Sequence, residues 1–290
     1  MNYKGIILAG GKGSRLSPIT KSINKHLLPL HNKPLIYYSL SVLFLSKIRE
    51  ILIISSEKDI VKFKNLLGNG ERYGVKFFYK IQKKPSGIPE GLLIGKDFLK
   101  NSGAALILGD NLFYGHQLTK KFNLAKKNNK NCTIFLYPVD NPNDYGVLEI
   151  DKNNRIKSIR EKPNVTNSKL AITGFYLFDK KAVQYAKKLK PSKRKEIEII
   201  SLIKKYYSQK QLKFEFLGRG STWIDAGTFE NLDKAAMYVK SVENIQGHKI
   251  ACLEEIALLN KWIKKKDLLK SISFYGNCEY SKYLKNIMKN

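Results

Sequence analysis

The stretch Gly5-Ile-Ile-Leu-Ala-Gly-Gly-Lys-Gly-Ser-Arg15 limits what this chain can fold into. Ile6, Ile7 and Leu8 form an unbroken apolar run, which marks a strand covered on both faces by helices, as in parallel sheets. The run breaks into Gly10, Gly11 and Gly13 and then Arg15. Glycines permit positive φ and let the backbone approach a ligand closely. The amides of such a loop converge on a concavity suited to an anion, and Arg15 adds a planar fork that can grip phosphate oxygens in pairs. The same string also fits a tight strand-to-helix turn with no ligand. Spacing excludes two other phosphate loops. No G-x-x-x-x-G-K-[ST] string occurs, and G-x-G-x-x-G fails because Leu16 stands where its third glycine belongs.

Downstream, apolar strands alternate with amphipathic segments. Strands are expected at 4–9, 50–55, 75–81, 104–109 and 132–138, with helical spacing over Lys33–Leu45, Glu57–Leu67 and Leu92–Leu99. This order implies an α/β fold with a mostly parallel central sheet, whose ligands sit at the carboxyl ends of strands. The glycine loop and the turn Leu108-Gly109-Asp110-Asn111 are both such ends and can face one cleft. Beyond residue 140 the pattern shifts to short strands at 146–150, 156–161, 171–178 and 213–217, with Asp151–Asn154 turning a hairpin. Helices are expected over Asp233–Val242 and Ile250–Trp262. The chain reads as one domain in three parts, 1–140, 141–228 and 229–290, with no linker, repeat or low-complexity segment.

At 290 residues the chain can bury a large core. No apolar run approaches the ~20 residues that span a bilayer, and the first residues lack the order of a signal peptide, so a cytoplasmic location is expected. Cys132, Cys252 and Cys278 are too few and too scattered for a disulfide framework or a zinc site. The formal net charge of +29 is compatible with polyanion binding. It is nearly all lysine, spread from end to end, and no nucleic-acid-binding motif accompanies it. A lysine- and asparagine-rich bias explains the charge, and neither a nucleic-acid nor a membrane partner is expected.

Asp110 follows an apolar strand, and Asp225 lies beside a glycine in Trp223-Ile-Asp-Ala-Gly-Thr228, which reads as a turn. Two carboxylates near a triphosphate would suit Mg²⁺, which takes one or two acids and completes its shell with phosphate and water. Each aspartate alone also fits a turn residue or helix cap. Lys25, just before His26-Leu-Leu-Pro29, could reach a phosphate or be an ordinary surface lysine. Glu161-Lys162-Pro163 ends a strand with a charged pair and a forced turn.

Together, the strings LAGGKGSRLSPIT, NKHLLPLHNKPLIYYSLSVL, LGDNLFYG, DYGVLEID, EKP, ITGFYLFD, GRGSTWIDAGT and QGHKIACLEEIA span nearly the whole length. In this order and spacing the chain resembles the glucose-1-phosphate thymidylyltransferases of bacterial sugar-nucleotide synthesis. The resemblance implies a Rossmann-like nucleotide-diphospho-sugar transferase fold. It also implies a Mg²⁺-dependent homotetramer that condenses dTTP with α-D-glucose 1-phosphate into dTDP-glucose and pyrophosphate, for dTDP-deoxysugar synthesis. By this resemblance Gly10, Gly11 and Gly13 hold the nucleotide, Gln82 and Gly87 recognise the base edge, and Arg15 and Lys25 stabilise the reacting phosphates. Asp110 and Asp225 match Mg²⁺ ligands. Lys162 and Arg194 match residues facing the sugar phosphate, and Tyr145, Gly146, Glu161 and Ile172 line the sugar site. Tyr114, Gly115, His116, Arg219 and the segment Lys249–Ile256, with Glu255, resemble a regulatory nucleotide site between subunits. Simple core packing of Ile250, Leu253 and Ile256 is the alternative there.

The chain also departs from the family pattern. Pro89 and Glu90 stand where an alanine and a glutamine are usual, His26 replaces a glutamine, and Lys195 replaces a glycine. These changes leave open a relative with another nucleotide or sugar preference, or a paralogue that binds sugar nucleotide without turning it over.

Overall fold

The computed structural model describes residues 1–192 and 194–289. β1 (Tyr3–Leu8) is followed by a short hairpin, β2 (Pro29–Leu30) and β3 (Lys33–Pro34), and by α1 (Ile36–Leu45). Then come β4 (Glu50–Ser55), α2 (Glu57–Leu67) and β5 (Lys76–Ile81). Two short helices, α3 (Glu90–Ile94) and α4 (Lys96–Leu99), lead to β6 (Gly103–Leu108), β7 (Asn111–Gly115), α5 (Leu118–Asn128) and β8 (Cys132–Pro138). β9 (Gly146–Ile150), β10 (Ile156–Glu161) and β11 (Leu170–Phe178) precede α6 (Ala182–Lys187), α7 (Ile199–Ser208), β12 (Leu212–Phe216) and β13 (Ser221–Asp225). The chain closes with α8 (Phe229–Gln246), α9 (Leu253–Leu259), α10 (Leu268–Tyr275) and α11 (Glu279–Lys289). No helix among the described residues is long and apolar enough to cross a membrane.

Among the described residues, nine strands form one sheet in the order β10-β9-β11-β6-β1-β4-β5, with β8 beside β11 and β12 beside β8. β6, β1, β4 and β5 are parallel. β11 then runs antiparallel to β6, with Phe175 opposite Ile107. The apolar runs follow from burial on both faces. Ile7, Ile51, Ile53 and Ile107 enter one core, while their chain neighbours Ile6, Leu52, Ile54 and Leu106 enter another. From β1 the chain moves outward to β4 and β5, then returns to the other side of β1 as β6. Strand order reverses between β1 and β6, and the crevice at their carboxyl ends is where such sheets bind ligands.

Several boundaries differ from the sequence expectation for identifiable reasons. Helix α1 starts only at Ile36, because Lys33 and Pro34 pair with Leu30 and Pro29. The segment Leu92–Leu99 divides into α3 and α4 at Gly95. Over Ile250–Trp262 the helix covers only Leu253–Leu259, since Ala251 adopts φ 55, outside the right-handed helical region. Asn111 and Asp225 do not lie in free turns: β7 and β13 pair antiparallel, with Asp225 opposite Asn111. The Asp151–Asn154 hairpin forms as expected, its Asp151 Oδ1 accepting from the backbone N–H groups of Asn153 and Arg155 at 2.8 Å each. Two helices outside the expected set, α5 and α11, bury few side chains and have a thin apolar stripe. The β-branched start of α7 reads as readily as a strand.

One buried side chain ties β7, β11 and β13 together. Asn111 Oδ1 accepts from Gly174 N at 3.1 Å and from Trp223 Nε1 at 2.6 Å. A buried donor left without a partner costs about 1–3 kcal/mol. Asn111→Ala strands both donors and is expected to lower the unfolding free energy by about 2–5 kcal/mol. Trp223→Phe keeps the Gly174 bond and is expected to lose less than Asn111→Ala through this oxygen. Urea unfolding of both variants measures the difference.

Candidate active site

A cavity of about 540 Å³ opens at the carboxyl ends of β1 and β6. It is bordered by Gly10, Gly11, Gly13, Arg15, Lys25, Gln82, Gly87, Asp110, Tyr145, Gly146, Glu161, Lys162, Ile172, Arg194 and Asp225. The structure thus gathers every residue expected at the nucleotide, metal, phosphate and sugar positions around one space.

The phosphate-loop side is built from short, well-anchored turns. Ala9, the last residue before the glycines, donates to Ile54 O at 2.7 Å, and its own carbonyl accepts from Ser55 Oγ at 2.9 Å and Asn24 Nδ2 at 3.1 Å. Thr20 Oγ1 donates to Gly13 O at 2.8 Å and closes the loop. Arg15 rides a 3₁₀ turn, Ser14–Leu16. Lys25 opens a second turn, Lys25–Leu27, capped where Asn24 Oδ1 accepts from His26 N at 3.0 Å. From there the Lys25 ammonium bonds Asp110 Oδ2 directly. The β7–β13 pairing brings Asp225 alongside, with Arg15 Nη2 3.9 Å from Asp225 Oδ2.

The electrostatics of this group follow from burial and spacing. Burial and then the neighbouring Asp110 charge push the Asp225 carboxyl up to about 7. For Asp110 burial acts in the same direction, but the Lys25 ammonium, through its charge and its hydrogen bond and together with the other polar neighbours, overcomes it and holds the carboxyl well below the usual range. Lys25 is raised, because Asp110 and Asp225 overcome the opposing effect of burial. His26 is pulled down to about 3 by burial and then by Lys25, so it is neutral at physiological pH. The cavity wall carries five cations, Lys12, Arg15, Lys25, Lys162 and Arg194, against six carboxylates, Asp110, Asp144, Glu161, Glu196, Glu198 and Asp225. The large positive charge of the chain is therefore not focused here.

Two hard oxygen donors, Asp110 in the turn after β6 and Asp225 at the end of β13, the latter pushed toward protonation by burial and then by the former, fit a divalent cation such as Mg²⁺. No group of three or more His, Cys, Asp or Glu suited to a metal occurs among the described residues. The donor set thus matches an ion that completes its shell with substrate phosphate and water rather than a full protein cage.

The opposite wall carries the residues expected at the sugar positions. Arg194 grips Glu198 with Nε at 3.0 Å and Nη2 at 3.1 Å, and its Nη2 lies 3.6 Å from Glu161 and 3.8 Å from Glu196. Glu196 and Glu198 were not among the expected site residues. No simple sequence pattern marks them: Lys195 has φ 60 and Ser192 N donates to Glu196 O at 2.8 Å, so a turn rather than strand alternation sets them beside Arg194. Lys162 has φ 38, a conformation lysine rarely adopts, and its N–H donates to Tyr145 O at 3.0 Å. The Tyr145 ring stands edge-on to Trp223, with centroids 5.1 Å apart. Ile172 sits at an irregularity in the β11–β8 pairing that also turns Gly174 toward Asn111. Ile197 N donates to Ser86 O at 2.7 Å and joins this wall to the nucleotide loop. Gly87 needs its φ of 113 and its missing side chain there, since a Cβ would lie 2.1 Å from the Ile197 carbonyl.

The nucleotidyl transferase family model matches residues 4–242. The chain is 45% identical over 286 residues to the glucose-1-phosphate thymidylyltransferase of Neisseria meningitidis serogroup A, covering 99% of each. The chain belongs to this family. The thymidylyltransferase of Xanthomonas campestris is 43% identical, over 99% of this chain and 97% of that one. Among solved structures, one from Bacillus anthracis assigned the same activity superposes with a TM-score of 0.74 at 38% identity, covering 81% of this chain and 94% of that chain. A UDP-glucose pyrophosphorylase complexed with UDP-glucose gives a TM-score of 0.72 at 26% identity, covering 83% and 100%. The α/β nucleotidyltransferase fold expected from the sequence is the fold of the chain.

The residues expected at a regulatory site do not border this cavity. The Tyr114 hydroxyl bonds Gln246 at the end of α8, Gly115 faces Ser221 in the β7–β13 ladder, and His116 is exposed. Lys249 N donates to the Tyr283 hydroxyl at 3.2 Å, and that hydroxyl donates to Glu255 at 2.7 Å. Arg219 borders a separate recess of about 510 Å³ with Tyr137 and Phe216.

The raised Asp225 carboxyl has a consequence for stability. In the unfolded chain it releases its proton near its ordinary value of 3.8, in the folded chain near 7. Its contribution is complete below about pH 4 and is lost as pH rises through about 7. Asp110 shifts in the opposite sense and titrates below this window. In the absence of divalent cations, Asp225→Asn is expected to raise the melting temperature at pH 8 and to flatten its fall between pH 6 and 8. Thermal melts in EDTA check both, and an unchanged profile would remove the account of a buried, repelled Asp225 charge.

Proposed function

We propose that this chain condenses dTTP with α-D-glucose 1-phosphate to give dTDP-glucose and pyrophosphate. The observation that carries the reading is the convergence of Arg15, Lys25, Asp110, Lys162 and Asp225 on one cavity, in a chain with full-length likeness to thymidylyltransferases. A sugar-phosphate oxygen attacks the α-phosphorus in line while pyrophosphate leaves. The protein has to hold two anions together and neutralise the charge that grows between them.

In this reading Gly10, Gly11 and Gly13 cradle the triphosphate, while Gln82 and Gly87 face the base. Arg15 and Lys25 neutralise the reacting phosphates. Lys162 and Arg194 orient the sugar phosphate, and Tyr145, Gly146, Glu161 and Ile172 shape the sugar pocket. Asp110 and Asp225 hold Mg²⁺, which when bound supplies Lewis acidity and charge neutralisation that the nearly balanced cavity wall lacks. The subunits form a homotetramer, and Tyr114, Gly115, His116, Arg219, Lys249 and Glu255 serve an effector nucleotide at its interface. Unchanged rates at saturating dTDP-L-rhamnose would remove the effector assignment.

Pyrophosphate release from each nucleoside triphosphate against a panel of sugar 1-phosphates, with and without Mg²⁺, tests the reaction. The fastest turnover is expected with dTTP and glucose 1-phosphate, and only with the metal. A different best pair overturns the substrate assignment, and no turnover with any pair overturns the enzyme. Asp110→Asn and Asp225→Asn are each expected to lower kcat by about 100-fold or more; near-normal rates in both variants exclude the shared-metal role.

A further inference from the structure

Glu90 stands in the first turn of α3, just outside the cavity wall, at a position where a second carboxylate near a triphosphate has no evident use. Its side chain is engaged with Gln82 and Ser86 instead of lining the cavity. Gln82 Nε2 donates to Glu90 Oε2 at 2.5 Å, and the same oxygen accepts from the Ser86 backbone N–H at 2.8 Å. An ionised carboxylate only accepts hydrogen bonds, so the nitrogen of the Gln82 amide, not its oxygen, has to face Glu90. Gln82 is 6% exposed. Its Oε1 lies so close over Gly10 that a Cβ on that residue would stand 2.3 Å away. Rotating the amide by half a turn would set Oε1 against the carboxylate, acceptor against acceptor.

We infer that Glu90 is a positioning residue that fixes which edge of the Gln82 amide meets the nucleotide base and so selects the base by hydrogen-bond polarity. The inference rests on the reading of Gln82 as base-facing. With one amide hydrogen held by Glu90, Gln82 has Oε1 as acceptor and its second N–H as donor for the cavity. Thymine and uracil offer the complement, a donor at N3 beside an acceptor at O4. Cytosine offers the reverse, an acceptor at N3 beside the N4 amine. An unrestrained glutamine serves either pattern by turning its amide over; one held by an acceptor-only neighbour serves the first alone. The plain structural role of Glu90, an acid at the start of a helix, would not distinguish the bases.

The test compares kcat/KM for dTTP, dUTP and dCTP with glucose 1-phosphate in the full-length enzyme and in Glu90→Gln and Glu90→Ala. The preference for dTTP over dCTP is expected to fall about tenfold or more in at least one variant, mainly through a lower KM for dCTP. The ratio of dTTP to dUTP should hold, because those bases share N3–H and O4. If neither variant moves the dTTP:dCTP ratio, or if all three nucleotides change by the same factor, the inference is overturned. Gln82→Ala separates the two layers. Should it change the dTTP:dCTP ratio while the Glu90 variants do not, the role of Glu90 fails and the base-facing glutamine stands. If Gln82→Ala leaves the ratio unmoved, the base-facing reading itself fails.

Discussion

Two carboxylates brought side by side in a buried place are the constraint around which this molecule is arranged. Antiparallel pairing of β7 with β13 sets Asp225 opposite Asn111, one residue from Asp110. Like charges at that range cannot both ionise freely. Lys25 settles one of them, and Asp225 is left with a carboxyl pushed up to about 7 by burial and by its neighbour. The fold therefore holds ready a negative site that a cation would relieve. Asn111 keeps it in place by bonding the neighbouring backbone and indole, joining the small sheet that carries the acids to the large one that carries the glycine loop.

Chemistry here depends on local geometry rather than on the field of the whole chain. The sequence carries a formal net charge of +29, yet the cavity wall has slightly more carboxylates than cations. At physiological ionic strength a surface lysine beyond about 8 Å is largely screened. The lysine excess can draw polyphosphates toward the protein but does little to hold one in the cavity. In the proposed reading, holding would fall to Arg15, Lys25, Lys162 and Arg194, each of which already leans on an acid or lies near one.

What the sequence made legible, and what it hid, have separate physical causes. The parallel strands were plain because Ile6 and Ile7 are needed by opposite cores, so no polar residue interrupts the run. The pairing of β7 with β13 was hidden, since it joins segments about 110 residues apart and each end reads locally as a turn. Ala251 gave no sign of its left-handed backbone, which alanine rarely adopts. The candidate site residues were named chiefly through family resemblance, whereas Glu196 and Glu198 went unread because a turn at Lys195 is what brings them to the cavity. Departures from the family pattern acquire physical content in three dimensions. His26, buried and neutral, hydrogen-bonds Asn24 through its Nδ1 at 2.8 Å, and Glu90 binds an amide instead of opposing a phosphate.

The bond from Ile197 to Ser86 carries this one step further. It ties the segment that presents Arg194, Glu196 and Glu198 to the loop that presents Gly87. Glu90 grips the same loop from the other side, through Ser86 N and Gln82. Ser86 thus hands its N–H to Glu90 and its carbonyl to Ile197. A loop held at both polar groups of one residue cannot shift toward one substrate without pulling on the wall that faces the other. Residues 83–91, which hold departures from the family pattern at Pro89 and Glu90, are for that reason mechanically joined to the segment that presents Arg194.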